Sequence, residues 1–154
     1  MSLANLTPRA PGPEKVRLAR EIDAAARRAI ALDPCFAPAW AALGVATREV
    51  ARIGWFVRGV ARAALGGLPP ASLEEAEGTL RAAAALDPTA DPFPLYQLAL
   101  TLETRDRPAE ALVAFERALA LPDREERDRR NRKDAEERLR RLRSAVALPG
   151  RTSR

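Results

Sequence analysis

Small and large apolar residues recur along this chain at helical spacing, and the order repeats. Ala76, Leu80 and Ala83 fall at i, i+4 and i+7, and Ala111, Phe115 and Ala118 fall at the same spacing further on. That spacing puts each set on one helix face. Upstream, Trp40, Leu43 and Gly44 stand in the order aromatic-x2-Leu-Gly, and Leu95, Leu98 and Ala99 stand in corresponding places. Two turn triplets, Leu32-Asp33-Pro34 and Leu86-Asp87-Pro88, each follow an alanine-rich helical stretch. Proline after an Asp breaks the helical period at those points.

The paired registers predict an all-α fold: a tetratricopeptide-like α-solenoid of antiparallel helical hairpins. In such a hairpin the small residues let helices approach closely and the larger residue fills the gap between them. Helices are predicted over about 14–32, 38–52, 72–86, 92–104, 108–120 and 123–147. The first has Leu18, Ile22, Ala25, Ala26, Ala29 and Ile30 on its apolar side. Ser72 and Glu75 form an S-x-x-E capping box at the start of the stretch that ends at Leu86. Between the first Trp-Leu-Gly signature and its partner helix lies an insert, about residues 53–71, with a short helix carrying Trp55, Phe56, Val60, Ala64 and Leu65. The last helix is charged, with the single apolar stripe Ala135, Leu139, Leu142 and Val146, as a solenoid's terminal cap requires. Residues 1–13 are read as an irregular proline-containing segment, 14–147 as one domain and 148–154 as a flexible tail.

The helix beginning near Glu14 is a second helix without its first. Leaving ~200–300 Å² of its apolar surface uncovered forfeits about 5–8 kcal/mol. The N-terminal segment, a second copy of the chain or a partner subunit is therefore expected on that edge.

Composition narrows the chemistry. With 154 residues, 47% apolar and 31% charged, the chain fits one domain. No uncharged apolar run approaches the ~20 residues of a membrane helix. The first thirteen residues lack the features of a secretory leader, so the mature chain is expected to begin near Met1. A single cysteine, Cys35, and no histidine exclude an intrachain disulfide, a structural zinc site and any His-dependent nucleophile. No phosphate-cradling glycine motif occurs, and the carboxylates are scattered over helix surfaces without an evident acid/base pair. The reading is a non-catalytic binding module without cofactor or metal, in the reducing cytoplasm.

The insert carries a resemblance. Gly54-Trp55-Phe56-Val57-Arg58-Gly59-Val60-Ala61, then Leu65, then Pro69-Pro70-Ala71-Ser72-Leu73-Glu74-Glu75-Ala76, resembles the regulator of microtubule dynamics family in its tetratricopeptide-like domain. The likeness extends over roughly Glu14 to Leu142 and includes Leu43-Gly44-Val45. This would be a short form, because helices found upstream in animal members, and the membrane anchor and coiled coil of some, have no counterpart here. The resemblance implies an intracellular adaptor associated with microtubules if the source is eukaryotic, and with phospholipid in a mitochondrial member.

Candidate surfaces follow from the register. First helices of such hairpins line a concave groove, here through Ala41, Val45, Arg48, Glu49 and Arg52, then Phe93, Tyr96, Leu100 and Glu103. This groove is mainly apolar and suits a partner's amphipathic helix or an acyl chain. A competing reading has the inserted helix fill it. Trp55 and Arg58 either shape the ligand pocket, Arg58 meeting an anionic group, or simply anchor the insert. The net charge is +5, and the whole surplus lies beyond Pro122. Arg138, Arg140, Arg141 and Arg143 have no acid after them and are the candidates for a polyanion contact. The charged run contains no aromatic residue for base stacking, which argues against nucleic acid.

Overall fold

The computed structural model describes residues 12–53 and 71–147. Those residues form helices and connecting turns, with no strand among them. The helices are α1 (Gly12–Leu32), α2 (Ala37–Ala51), α3 (Leu73–Leu86), α4 (Phe93–Thr104), α5 (Pro108–Ala120) and α6 (Glu126–Ala147). They divide into two compact units, residues 1–83 and 84–154. The predicted inserted helix, with Trp55, Phe56 and Arg58, lies outside the described residues, as do most of the N-terminal segment and the tail.

In the first unit, α1 packs on α2. Helix α1 starts at Gly12, earlier than the proline cluster suggests, because Pro13 falls in the first turn, where a missing N–H costs nothing. Of its apolar side, Ala19 and Ala26 are buried, Ile22 and Ile30 are half-buried, and Ala25 is exposed. Leu32, at the helix end, is 82% exposed. The Asp33-Pro34 turn reverses the chain by side-chain bonding. Asp33 Oδ1 accepts the Cys35 N–H at 3.0 Å, and the Trp40 indole N–H donates to the Pro34 carbonyl at 2.9 Å. Trp40 therefore ties the first turn of α2 to the loop before it. Cys35 is an exposed free thiol on this turn.

Helix α3 begins where the capping box places it, the Ser72 Oγ accepting the Glu75 N–H at 2.9 Å. The Glu75 carboxylate also takes the Arg27 Nη2 at 3.4 Å, and Arg27 Nε forks onto Asp23 at 3.0 and 3.1 Å. The bond to Asp23, opposed by partial burial, holds the Arg27 pKa above its ordinary value. One guanidinium thus links α1 to α3. Helix α2 meets α3 at Gly44. A methyl group there would lie 2.6 Å from Leu80 Cγ, 2.9 Å from Leu80 Cδ2 and 3.4 Å from the Ala76 carbonyl oxygen. Gly78 has open space instead: a methyl group added there would meet nothing within 4 Å. Gly78→Ala should therefore stabilise the chain by about 0.5–1 kcal/mol through helix propensity and a stiffer unfolded state. The shift in urea midpoint measures it.

In the second unit, α4 and α5 form a hairpin and α6 packs on both. Asp91 starts α4, its Oδ1 accepting the Phe93 N–H at 2.8 Å. The α4–α5 turn closes with the Arg107 N–H on the Leu102 carbonyl and the Asp106 N–H on the Glu103 carbonyl, both at 3.0 Å. That paired pattern needs a left-handed residue, and Asp106 supplies it at φ 56°. Leu95, Leu102, Ala111 and Phe115 are buried in this unit. Phe115 lies 6.1 Å from the Tyr96 ring at a tilt of 58°.

Candidate functional site

The predicted first-helix positions separate by depth. In the first unit Ala41 and Val45 are buried in α2. Arg48 is buried too, at 6% exposure, with its Nε and Nη2 each 3.2 Å from Glu49 Oε1. Glu49 is half-buried and also faces the exposed Arg52 at 3.8 Å. A solvent-facing ligand can therefore meet Glu49 and Arg52, whereas Ala41, Val45 and Arg48 lie beneath the surface. Trp55 and Arg58 fall outside the described residues.

In the second unit Phe93 and Tyr96 are buried, and Leu100 and Glu103 are half-buried. Three of these four engage α6. The Tyr96 hydroxyl donates to Asp134 Oδ2 at 2.7 Å. Arg138 then joins both helices, its Nε on Asp134 Oδ2 at 2.6 Å and its Nη1 on Glu103 Oε2 at 2.8 Å. Burial works against the Arg138 charge, but the bonds to Asp134 and Glu103 outweigh it and hold the pKa above its ordinary value. Phe93 lies under the Arg127 guanidinium, 4.2 Å from ring centroid to Cζ.

The four C-terminal arginines do not behave alike. Arg138 is bonded as above, and Arg143 Nη2 reaches Glu116 of α5 at 2.7 Å. Arg140 and Arg141 are exposed and have no ion pair among the described residues. The sequence shows no acid after these arginines. Asp134 lies one turn earlier, and Glu103 and Glu116 arrive from other helices.

Residues that the spacing does not single out complete this region. Asp128 is buried, and its Oδ2 accepts the N–H groups of Arg124 and Glu125 at 3.0 and 3.1 Å, so regular α6 begins at Glu126 and not at Asp123. Arg132 donates to the carbonyls of Leu119 and Leu121 at 2.9 and 2.7 Å and forks onto Asp123. It thereby satisfies acceptors left open where α5 ends. A shallow depression lies here, lined among others by Phe93, Tyr96, Asp128, Asn131 and Arg132. The Asn131 Nδ2 is buried with no hydrogen-bond partner. The one legible signal is Asp91-Pro92, which echoes Asp33-Pro34. Nothing in the local sequence marks Arg132 as a carbonyl donor.

Among the described residues no group of three or more Cys, Asp and Glu side chains is arranged to hold a metal ion. No helix among them is long and apolar enough to cross a membrane. The chemistry on display is directional hydrogen bonding and charge at helix surfaces. No curated protein matches the chain. A family model does, the one described as regulator of microtubule dynamics protein 1-3, over residues 5–143.

Proposed function

Since the chain belongs to the regulator of microtubule dynamics family, we propose that it is a non-catalytic adaptor that binds a partner protein through its first-helix surfaces. The reading takes the helical hairpins to stack in the tetratricopeptide manner. The observation that supports it best is the seat of Gly44 against Leu80 and Ala76. That register places a small residue of one helix on the large residue of the next, and a repeat array buries itself that way. The cytoplasm is the proposed setting, in keeping with a solvent-exposed unpaired thiol at Cys35. The side chains offered to a partner are Glu49 and Arg52 in the first unit and Leu100 in the second.

A second reading, contact with an anionic filament or other polyanion, is favoured by the exposed Arg140 and Arg141, which lack an ion pair among the described residues. One experiment separates the two. Folded variants Arg52→Glu, Leu100→Asp and the double Arg140→Glu/Arg141→Glu are used as bait at low and high salt. The adaptor reading expects the first two to lose at least about tenfold in recovered partner, with little effect of the arginine pair. Recovery unchanged by Arg52→Glu and Leu100→Asp sinks it. Loss confined to the arginine variant, and steep in salt, selects polyanion binding.

A further inference from the structure

Helix α6 is attached differently from the hairpin beneath it. Its buried apolar residues are Ala135 and Leu139, with Leu142 half-buried. Polar ties do the rest, and they run along the helix. Arg127 covers Phe93, and Arg132 holds Asp123 and two carbonyls at the end of α5. Further along, Asp134 takes Tyr96, Arg138 takes Glu103 and Arg143 takes Glu116. The α4–α5 hairpin, by contrast, keeps Leu95, Leu98, Leu102, Ala111 and Phe115 buried. The two attachments differ in their sensitivity to ionic strength. Partly exposed ion pairs weaken as the Debye length falls from ~10 Å at 0.1 M to ~3 Å at 1 M, while apolar burial does not.

We propose that α6 is an ionic latch over the α4 face, one that opens as a unit while the α4–α5 hairpin stays folded and so uncovers Phe93, Tyr96 and Glu103. The face it uncovers is a docking surface for a partner's helix of like chemistry. Such a helix would offer a carboxylate to the Tyr96 hydroxyl and, four residues on, a guanidinium to Glu103, as Asp134 and Arg138 do. The latch stands without the adaptor reading. Only its use by a partner helix rests on that reading.

Hydrogen exchange read by mass spectrometry on the whole chain tests it. Between about 0.05 and 1 M sodium chloride, peptides from 126–147 should exchange at least about fivefold faster, and peptides from 93–120 should change less than about twofold. Salt also loosens pairs within α6, such as Arg129–Glu126. An uncharged variant therefore supplies the second arm. Tyr96→Phe removes the bond to Asp134 and keeps the ring, so at low salt it should speed exchange in 126–147 by about threefold and leave 93–120 unchanged. Acceleration of 93–147 in step, by salt or by Tyr96→Phe, makes α4–α6 one cooperative unit and overturns the latch. So does an α6 that ignores both. A synthetic peptide of residues 123–147 added in trans reports on the docking surface separately. It should compete with α6 in wild type and fail to do so when it carries Asp134→Asn and Arg138→Gln. Failure of the unsubstituted peptide removes the partner helix and leaves the exchange result standing.

Discussion

Leu80→Ala is expected to lower the unfolding free energy by about 3–4 kcal/mol, and Gly44→Ala by about 1–2 kcal/mol, with the double variant costing clearly less than the two together. Leu80 is fully buried, so its truncation removes a whole packed side chain and leaves a cavity that rigid neighbours only partly refill. Gly44→Ala pulls two ways. A methyl group favours the helix by about 1 kcal/mol, but here it would sit 2.6 Å from Leu80 Cγ. That carbon is the branch point of a packed residue and not a flexible tip, so α2 and α3 must part, at a cost of about 1–3 kcal/mol. With Leu80 already cut to alanine, the new methyl enters the space vacated. Urea unfolding followed by circular dichroism at 222 nm measures all three variants. Strict additivity would mean that Gly44 and Leu80 do not share a contact. The Gly78→Ala variant is the internal control, because the same chemical change meets open space there.

Phe115→Ala should cost about 3–5 kcal/mol, the largest loss expected from a single truncation in the second unit. Its side chain is fully buried and its ring leans on Tyr96. Tyr96 in turn reaches Asp134, so the cavity would open beneath the residue that carries a tie to α6. Phe115→Leu keeps most of the volume and should cost less than about 1.5 kcal/mol. The same denaturation experiment checks both. A loss below about 1 kcal/mol in Phe115→Ala would place the ring outside the core.

Much of the fold can be read along the chain because each helix obeys local rules. Pro38, Pro94 and Pro108 sit in first turns, and Ser72 caps α3. The buried Ala76, Leu80, Ala83, Ala111, Phe115 and Ala118 are those the spacing selects. Helix starts are harder to read where a side chain from within the helix reaches back. Asp128 binds the N–H groups of Arg124 and Glu125 and so delays α6 to Glu126, an effect no propensity scale contains. The candidate site is less legible than the fold. The 3.6-residue period says that Val45 and Arg48 share a face, but the period is silent on how deep that face lies, and both are buried.

The sequence by itself determined the helical class, the two small-large-small registers, the family and the charge surplus beyond Pro122, because these depend on residue type and spacing alone. Only the tertiary structure decided which charges find partners. Arg138 and Arg143 are taken by Glu103 and Glu116, which are distant along the chain, whereas Arg140 and Arg141, which stand between them on the same helix, are left to solvent. A guanidinium's partner is set by what lies within about 4 Å in space, and no local pattern of residues encodes that distance.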